Sequence, residues 1–189
     1  MKIGLYFGSF NPVHIGHLIL ASFVADHTDM KQVWFVVSPQ NPFKSSTALL
    51  NEHQRLHLVH LAVEDDTRLK ASDVEFRLPR PSYTIDTLTY LQEKYPQHTF
   101  SIIIGSDSFQ NLPQWKNFEL LAKNYPFIIY KRPGFDIVDT WGAQVTVLDA
   151  PLLAISATQI RDQIKQGKSI RYLVQDTVRE EIERNNYYK

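Results

Sequence analysis

The chain has no cysteine. Disulfides, thiolate nucleophiles, zinc fingers and iron–sulfur clusters are therefore excluded, and the absence fits a reducing compartment. No excess of either charge is present: 20 Lys plus Arg stand against 20 Asp plus Glu. A neutral chain has no bulk field to hold a polyanion, so a nucleic-acid partner is not expected, although a local basic cluster could still bind a nucleotide. No apolar run approaches the length of a membrane span, and no membrane partner is expected. The first ten residues lack the long apolar core of a signal peptide and read as a first strand. The expected location is the cytoplasm. Internal repeats, low-complexity tracts and long polar linkers are missing too. So are the G-x-x-x-x-G-K-[ST] and G-x-G-x-x-G phosphate loops.

What is present is an ordinary globular balance, 43% hydrophobic and 21% charged, over 189 residues. That length suits one domain, 1–189, with a real core. Short β-rich runs recur at 3–7, 33–37, 100–104, 127–130 and 145–148. Helical patterns lie between them, at 14–26, at 51–63 with Asn51 as N-cap, from Ser82 or Thr84 to before Pro96, and at 112–122. Ser156-Ala157-Thr158-Gln159 has the form of a capping box, and Gly167 can end the helix it opens. Val174, Val178 and Ile182 lie four apart on a last helix. Strands alternating with helices predict an α/β parallel sheet covered on both faces. Ligands of such sheets bind beyond the carboxyl ends of the strands, which directs attention to the loops after Phe7, Val37 and Ile104.

The strongest local signal is Gly8-Ser9-Phe10-Asn11-Pro12-Val13-His14-Ile15-Gly16-His17. It leaves a predicted strand and enters a predicted helix. Gly8 allows close backbone approach to a ligand, and the helix start offers N–H groups to a phosphate. His14 and His17 are three apart and share one face of the first turn. A zinc site would usually recruit a third protein ligand, and none is apparent nearby, so no protein-held metal is expected. His53, His57 and His60 sit at helical spacing as well, and the same lack of a closing ligand makes them a plain helix face.

This string resembles the signature of the HxGH nucleotidyltransferase superfamily. The superfamily's second signature resembles Ile155-Ser156-Ala157-Thr158-Gln159-Ile160-Arg161, with Ala157 in place of the usual Ser. Here capping hydroxyls and Arg161 form another anion cradle. Nearly the whole chain is similar to the bacterial nicotinate mononucleotide adenylyltransferase family. Ser82-Tyr83-Thr84-Ile85-Asp86-Thr87-Leu88 carries that resemblance, with Gly105-Ser106-Asp107, Leu112-Pro113-Gln114-Trp115 and Lys131-Arg132-Pro133-Gly134. Pro39-Gln40-Asn41-Pro42-Phe43-Lys44 resembles the family's P-x-x-P-H-K, with Phe43 standing where His is usual.

The resemblance implies a Rossmann-like doubly wound parallel sheet with C-terminal helices. It implies adenylyl transfer from ATP to nicotinate mononucleotide, giving deamido-NAD and pyrophosphate, with Mg²⁺ carried on the ATP. ATP contacts are expected at Gly8, Ser9, Phe10, His14, Gly16, His17, Asp107, Ser156, Thr158 and Arg161. Acceptor contacts are expected at Asn11, Lys44, Thr84 and Trp115. The catalytic group is His17, His14, Lys44 and Arg161. Taken singly, each element has a plainer explanation: Trp115 as packing, Thr84 and Asp86 as helix-start residues, Asp107 as a loop cap, Arg55 and Arg132 as surface charges. The rival readings are another acceptor, such as phosphopantetheine, and a non-catalytic nucleotide-binding module. The oligomeric state is left open by the sequence.

Overall fold

The computed structural model describes residues 1–39 and 49–189. The elements in chain order are β1 (Lys2–Gly8), α1 (Ile15–His27), β2 (Gln32–Val37), α2 (Glu52–Val63), β3 (Leu69–Ser72), α3 (Thr84–Lys94), β4 (Thr99–Gly105), α4 (Ser106–Phe109), α5 (Phe118–Asn124), β5 (Phe127–Tyr130), β6 (Val145–Leu148), α6 (Ala157–Lys165) and α7 (Asp176–Asn185). Short 3-10 turns lie at Val74–Arg77 and Leu112–Gln114. The strands form one sheet in the order β3-β2-β1-β4-β5-β6, and every pairing is parallel. The doubly wound α/β expectation is met.

Strand periodicity divides the core. Val33, Phe35 and Val37 on β2, with Ile103 and Ile128, face α1, α2, α6 and α7. Trp34 and Val36, with Ile3, Leu5, Ile102, Ile104 and Ile129, face α3, α4 and α5. Successive side chains of a strand point to opposite faces, so these near-continuous apolar runs mark strands buried on both sides. The C-terminal helices belong to the same core, because Ile160, Val174, Val178 and Ile182 are buried in the first cluster.

Two expectations need correction. Leu69–Ser72 is a strand that the periodicity did not reveal, because it is four residues long and holds a lysine. The helix expected over 112–122 is broken. A 3-10 turn ends at Trp115, whose N–H donates to the Leu112 carbonyl at 2.9 Å, and Asn117 takes a left-handed φ of 53° before α5 begins.

The chain runs β1-α1-β2-α2-β3 to one side, then returns to place β4 on the other side of β1. The loops leaving β1 and β4 therefore diverge, and a crevice opens between them at the carboxyl ends.

Candidate active site

Two cavities meet in this crevice. The larger, about 730 Å³, is lined by Ser9, His14, His17, Asp107, Arg132 and Arg161 among others. The smaller, about 170 Å³, is lined by Glu75, Ser82, Tyr83, Thr84, Trp115 and Lys116 among others. Phe7, Gly8 and Ser108 line both. The larger draws on α1 and α6, which cover one face of the sheet. The smaller draws on α3 and the 115–116 segment, which cover the other. Molecules seated in the two cavities would touch over the end of β1.

His14 is the N-cap of α1 and is buried. Its backbone N–H donates to His17 Nδ1 at 3.2 Å. Nδ1 must then carry a lone pair, which leaves the ring proton on Nε2. The two rings stack with centroids 3.6 Å apart. Burial pulls the His17 pKa well below the usual range, helped by His14 and Arg132. Burial and then Arg132 lower that of His14 to about 4. Both imidazoles are therefore neutral at pH 7, and His17 presents a neutral Nε2–H donor. The glycines of the motif make room for these rings. A Cβ on Gly16 would lie 3.1 Å from His14 Nδ1, and one on Gly8 would lie 2.8 Å from the Phe10 ring.

The second motif stands across the cavity. Ser156 Oγ accepts from the Gln159 N–H at 3.1 Å, as a cap should. Arg161 donates to the Asn11 carbonyl at 2.8 Å and to Thr158 Oγ1 at 3.2 Å. The two motifs are thus bonded to each other. Arg161 has five N–H donors, and those not committed here remain for phosphate oxygens.

Several expected contacts are placed differently. The Phe10 ring is 2% exposed and packs on Tyr6, Phe35 and His17, so only its backbone can meet a nucleotide. Asn11, expected on the acceptor side, lines the larger cavity, and its Oδ1 accepts from the Leu50 N–H at 3.1 Å. The start of α1 is a narrower cradle than expected, because the Ile15 N–H donates to the Leu173 carbonyl at 2.9 Å. Gly8, Ser9, His14, Gly16, His17, Asp107, Ser156, Thr158 and Arg161 all line the larger cavity. Thr84 and Trp115 line the smaller. Lys44 and Phe43 lie outside the described residues. Asp86 does not line the smaller cavity and pairs with Lys116 at 2.8 Å.

The structure adds three residues to those expected at the site. Arg132 lies in the larger cavity 3.9 Å from Asp107, with its guanidinium over the Tyr130 ring. Its position just after a predicted strand was a usable signal. Arg55 is fully buried, not a surface charge. It donates to the carbonyls of Ser9, Ser38, Pro39 and Leu50, which ties down the loops leaving β1 and β2. Glu75 is buried against the smaller cavity. No sequence pattern marked either of these two.

Residues 5–163 match the cytidylyltransferase-like family model. A protein of Cytophaga hutchinsonii described as "probable nicotinate-nucleotide adenylyltransferase" is 50% identical over 100% of this chain and 98% of its own length. One of Flavobacterium johnsoniae with the same description is 47% identical over 100% of both chains. Among solved structures, the Plasmodium falciparum nicotinic acid mononucleotide adenylyltransferase complexed with NaAD superposes with a TM-score of 0.83. It is 22% identical and covers 99% of this chain and 97% of that one. At that identity the likeness speaks for the fold.

Proposed function

The chain belongs to the cytidylyltransferase-like family and, within it, to the nicotinate-nucleotide adenylyltransferases, and from that footing we propose how its residues divide the transfer of AMP from ATP to nicotinate mononucleotide. The observation that carries the division is the pair of cavities sharing Phe7, Gly8 and Ser108. ATP takes the larger cavity and the acceptor takes the smaller. A phosphate oxygen of the acceptor attacks the α-phosphorus, the bond to the bridging oxygen of the β-phosphate breaks, and pyrophosphate leaves. The attacking group is already an anion, so positioning and charge stabilisation do the work rather than a general base.

His17 donates its Nε2–H to the α-phosphate as charge shifts there. His14 sets the orientation of that ring through its backbone N–H and the stack. Arg161 and Arg132 supply the positive charge that two neutral imidazoles lack. Lys44 belongs with them as a phosphate contact. Trp115 and Thr84 receive the pyridine ring and its carboxylate. Gly8, Ser9, Gly16, Asp107, Ser156 and Thr158 complete the ATP wall, and the backbone of Phe10 joins them.

Magnesium fits this arrangement as a passenger of the nucleotide. Among the described residues no group of three His, Cys, Asp or Glu could hold a metal. Asp107, the carboxylate of the larger cavity, faces Arg132. Mg²⁺ bound through phosphate oxygens and water would add neutralising charge to the triphosphate. The reading treats 1–189 as one nucleotidyltransferase domain and places it in the cytoplasm, which cell fractionation would test. Among the described residues, no helix is long and apolar enough to cross a membrane.

The decisive assay gives the purified protein ATP, Mg²⁺ and a panel of phosphorylated acceptors, and measures pyrophosphate. Release should require nicotinate mononucleotide. Release with phosphopantetheine instead would replace the acceptor, and no release with any acceptor would leave a nucleotide-binding module.

A further inference from the structure

Glu75 is a carboxyl group only 2% exposed, and the groups that hydrogen-bond it are the hydroxyls of Ser38, Ser82 and Thr87. Burying such a group is costly unless its oxygens are occupied. Both are. Ser82 Oγ donates to Oε2 at 2.8 Å, and Thr87 Oγ1 donates to Oε1 at 2.9 Å. Thr87 Oγ1 also lies 3.3 Å from the Tyr83 carbonyl. Ser82 and Thr87 are themselves buried. Ser82 stands just before α3 and Thr87 in its first turn, so one carboxyl group grips the chain on both sides of Tyr83 and Thr84. Those two residues line the smaller cavity. The Tyr83 carbonyl accepts from the Asp86 and Thr87 N–H groups and the Lys116 ammonium lies over the Tyr83 ring, but Tyr83, the N-cap of α3, makes no side-chain capping bond, so Glu75 adds the side-chain grip that ties this turn to the segment after β3.

We infer that Glu75 is a positioning residue for the acceptor site: its two oxygens, bonded to Ser82 and Thr87, hold the Tyr83-Thr84 turn in the place where the acceptor is read. It acts through the turn, because the ATP wall draws on α1, α4, α6 and the ends of β1 and β5, and neither Ser82 nor Thr87 lines that cavity. Burial pushes the Glu75 carboxyl up from its usual range, and the hydroxyl hydrogen bonds oppose that shift. The grip needs oxygen acceptors, not a full charge. Glu75→Gln keeps one such oxygen and an amide that rotating hydroxyls can accept from, whereas Glu75→Leu keeps the bulk and loses both.

The inference rests on the assignment of the smaller cavity to the acceptor. Its test is steady-state kinetics on wild type, Glu75→Gln, Glu75→Leu, Thr87→Ser and Thr87→Val, paired with amide hydrogen exchange over residues 82–88 without substrates. Glu75→Leu should raise KM for nicotinate mononucleotide about tenfold, the scale of one or two buried hydroxyls left unpaired. KM for ATP should hold, and kcat at saturating acceptor should fall much less than KM rises. Glu75→Gln and Thr87→Ser should stay near wild type, and Thr87→Val should follow Glu75→Leu. Exchange over 82–88 should quicken in the two disruptive variants. An equal loss toward ATP and acceptor, or unchanged exchange in Glu75→Leu, would overturn the inference. Should Glu75→Leu fail to fold, the Thr87 pair decides on the same criteria. Failure of the wild type to use nicotinate mononucleotide would reject the acceptor assignment, while the exchange measurement would still report on the grip.

Discussion

The state of the His17 ring is set by two neighbours and by burial. The His14 N–H fixes its tautomer, the Phe10 ring stands edge-on to it at 5.1 Å, and burial keeps it neutral. Removing it takes away one preorganised donor, so His17→Ala should lower kcat by about 10²–10³. ATP affinity measured by calorimetry should fall far less. Near-wild-type turnover would end the assignment. The same burial has a cost in acid. In the unfolded chain a histidine takes its proton near pH 6.5, but folded His14 waits until about pH 4. Across that window the unfolded state binds more protons, so stability falls as pH falls. The slope is up to about 1.4 kcal/mol per pH unit for each such histidine, and it vanishes above pH 6.5. Urea unfolding at pH 7.5 and pH 5 should show the loss. His14→Asn should lose less between the two pH values than the wild type does. An unchanged pH dependence in that variant would mean that the ring is protonated in the folded protein.

Among the elements, α2 does more than cover the sheet. Through Arg55 it holds four loop carbonyls from β1, β2 and the approach to α2 itself. Arg55→Met keeps most of the volume and strands those carbonyls, which should cost about 3 kcal/mol or more. Arg55→Lys should rescue little, because a single ammonium cannot span the positions a planar fork reaches. Denaturant midpoints of the two variants check both statements, and a lysine variant as stable as wild type would contradict the second. Arg55 also shows why part of the site was illegible. The strands at 33–37, 100–104 and 127–130 announced themselves because burial on both faces demands unbroken apolar runs. The HxGH string and Ile155–Arg161 announced themselves by residue type at fixed spacing. An arginine or a glutamate inside an ordinary pattern carries no such mark, since its meaning lies in carbonyls and hydroxyls distant along the chain. Arg55 reaches Ser9 across 46 positions, and Glu75 reaches Thr87 across 12. The break at Asn117 is unmarked in the sequence because an asparagine, not a glycine, takes the left-handed φ there.

At the scale of the molecule, selectivity follows from how the two faces of the sheet share the work. The smaller cavity, proposed above as the acceptor site, presents the start of α3, with Thr84 in its first turn, and is lined by Lys116. Helix N-termini and ammonium groups favour an anion, so the carboxylate of nicotinate mononucleotide should be preferred over the carboxamide of its amide counterpart. Sites built on polar pairing can discriminate by up to ~10⁴–10⁵. Because Lys116 is half exposed and pairs with Asp86, water screens part of its field and a preference of at least ~10² is expected. The ratio of kcat/KM for the two mononucleotides, at one ATP and Mg²⁺ concentration, measures it. A ratio near one would remove the preference without touching adenylyl transfer.

The bond from Arg161 to the Asn11 carbonyl spans 150 positions, and the Ile15 N–H finds its partner at Leu173. Chains emerge from the ribosome N-terminus first, at about 5–20 residues per second. The Gly8–His17 loop is thus made well before Arg161 and Leu173, the partners that it bonds. Translation arrested before Ile155 would leave the Gly8–His17 loop without its second wall and the first core cluster without Ile160, Val174, Val178 and Ile182, so the two walls can close on each other only once α6 and α7 have been made.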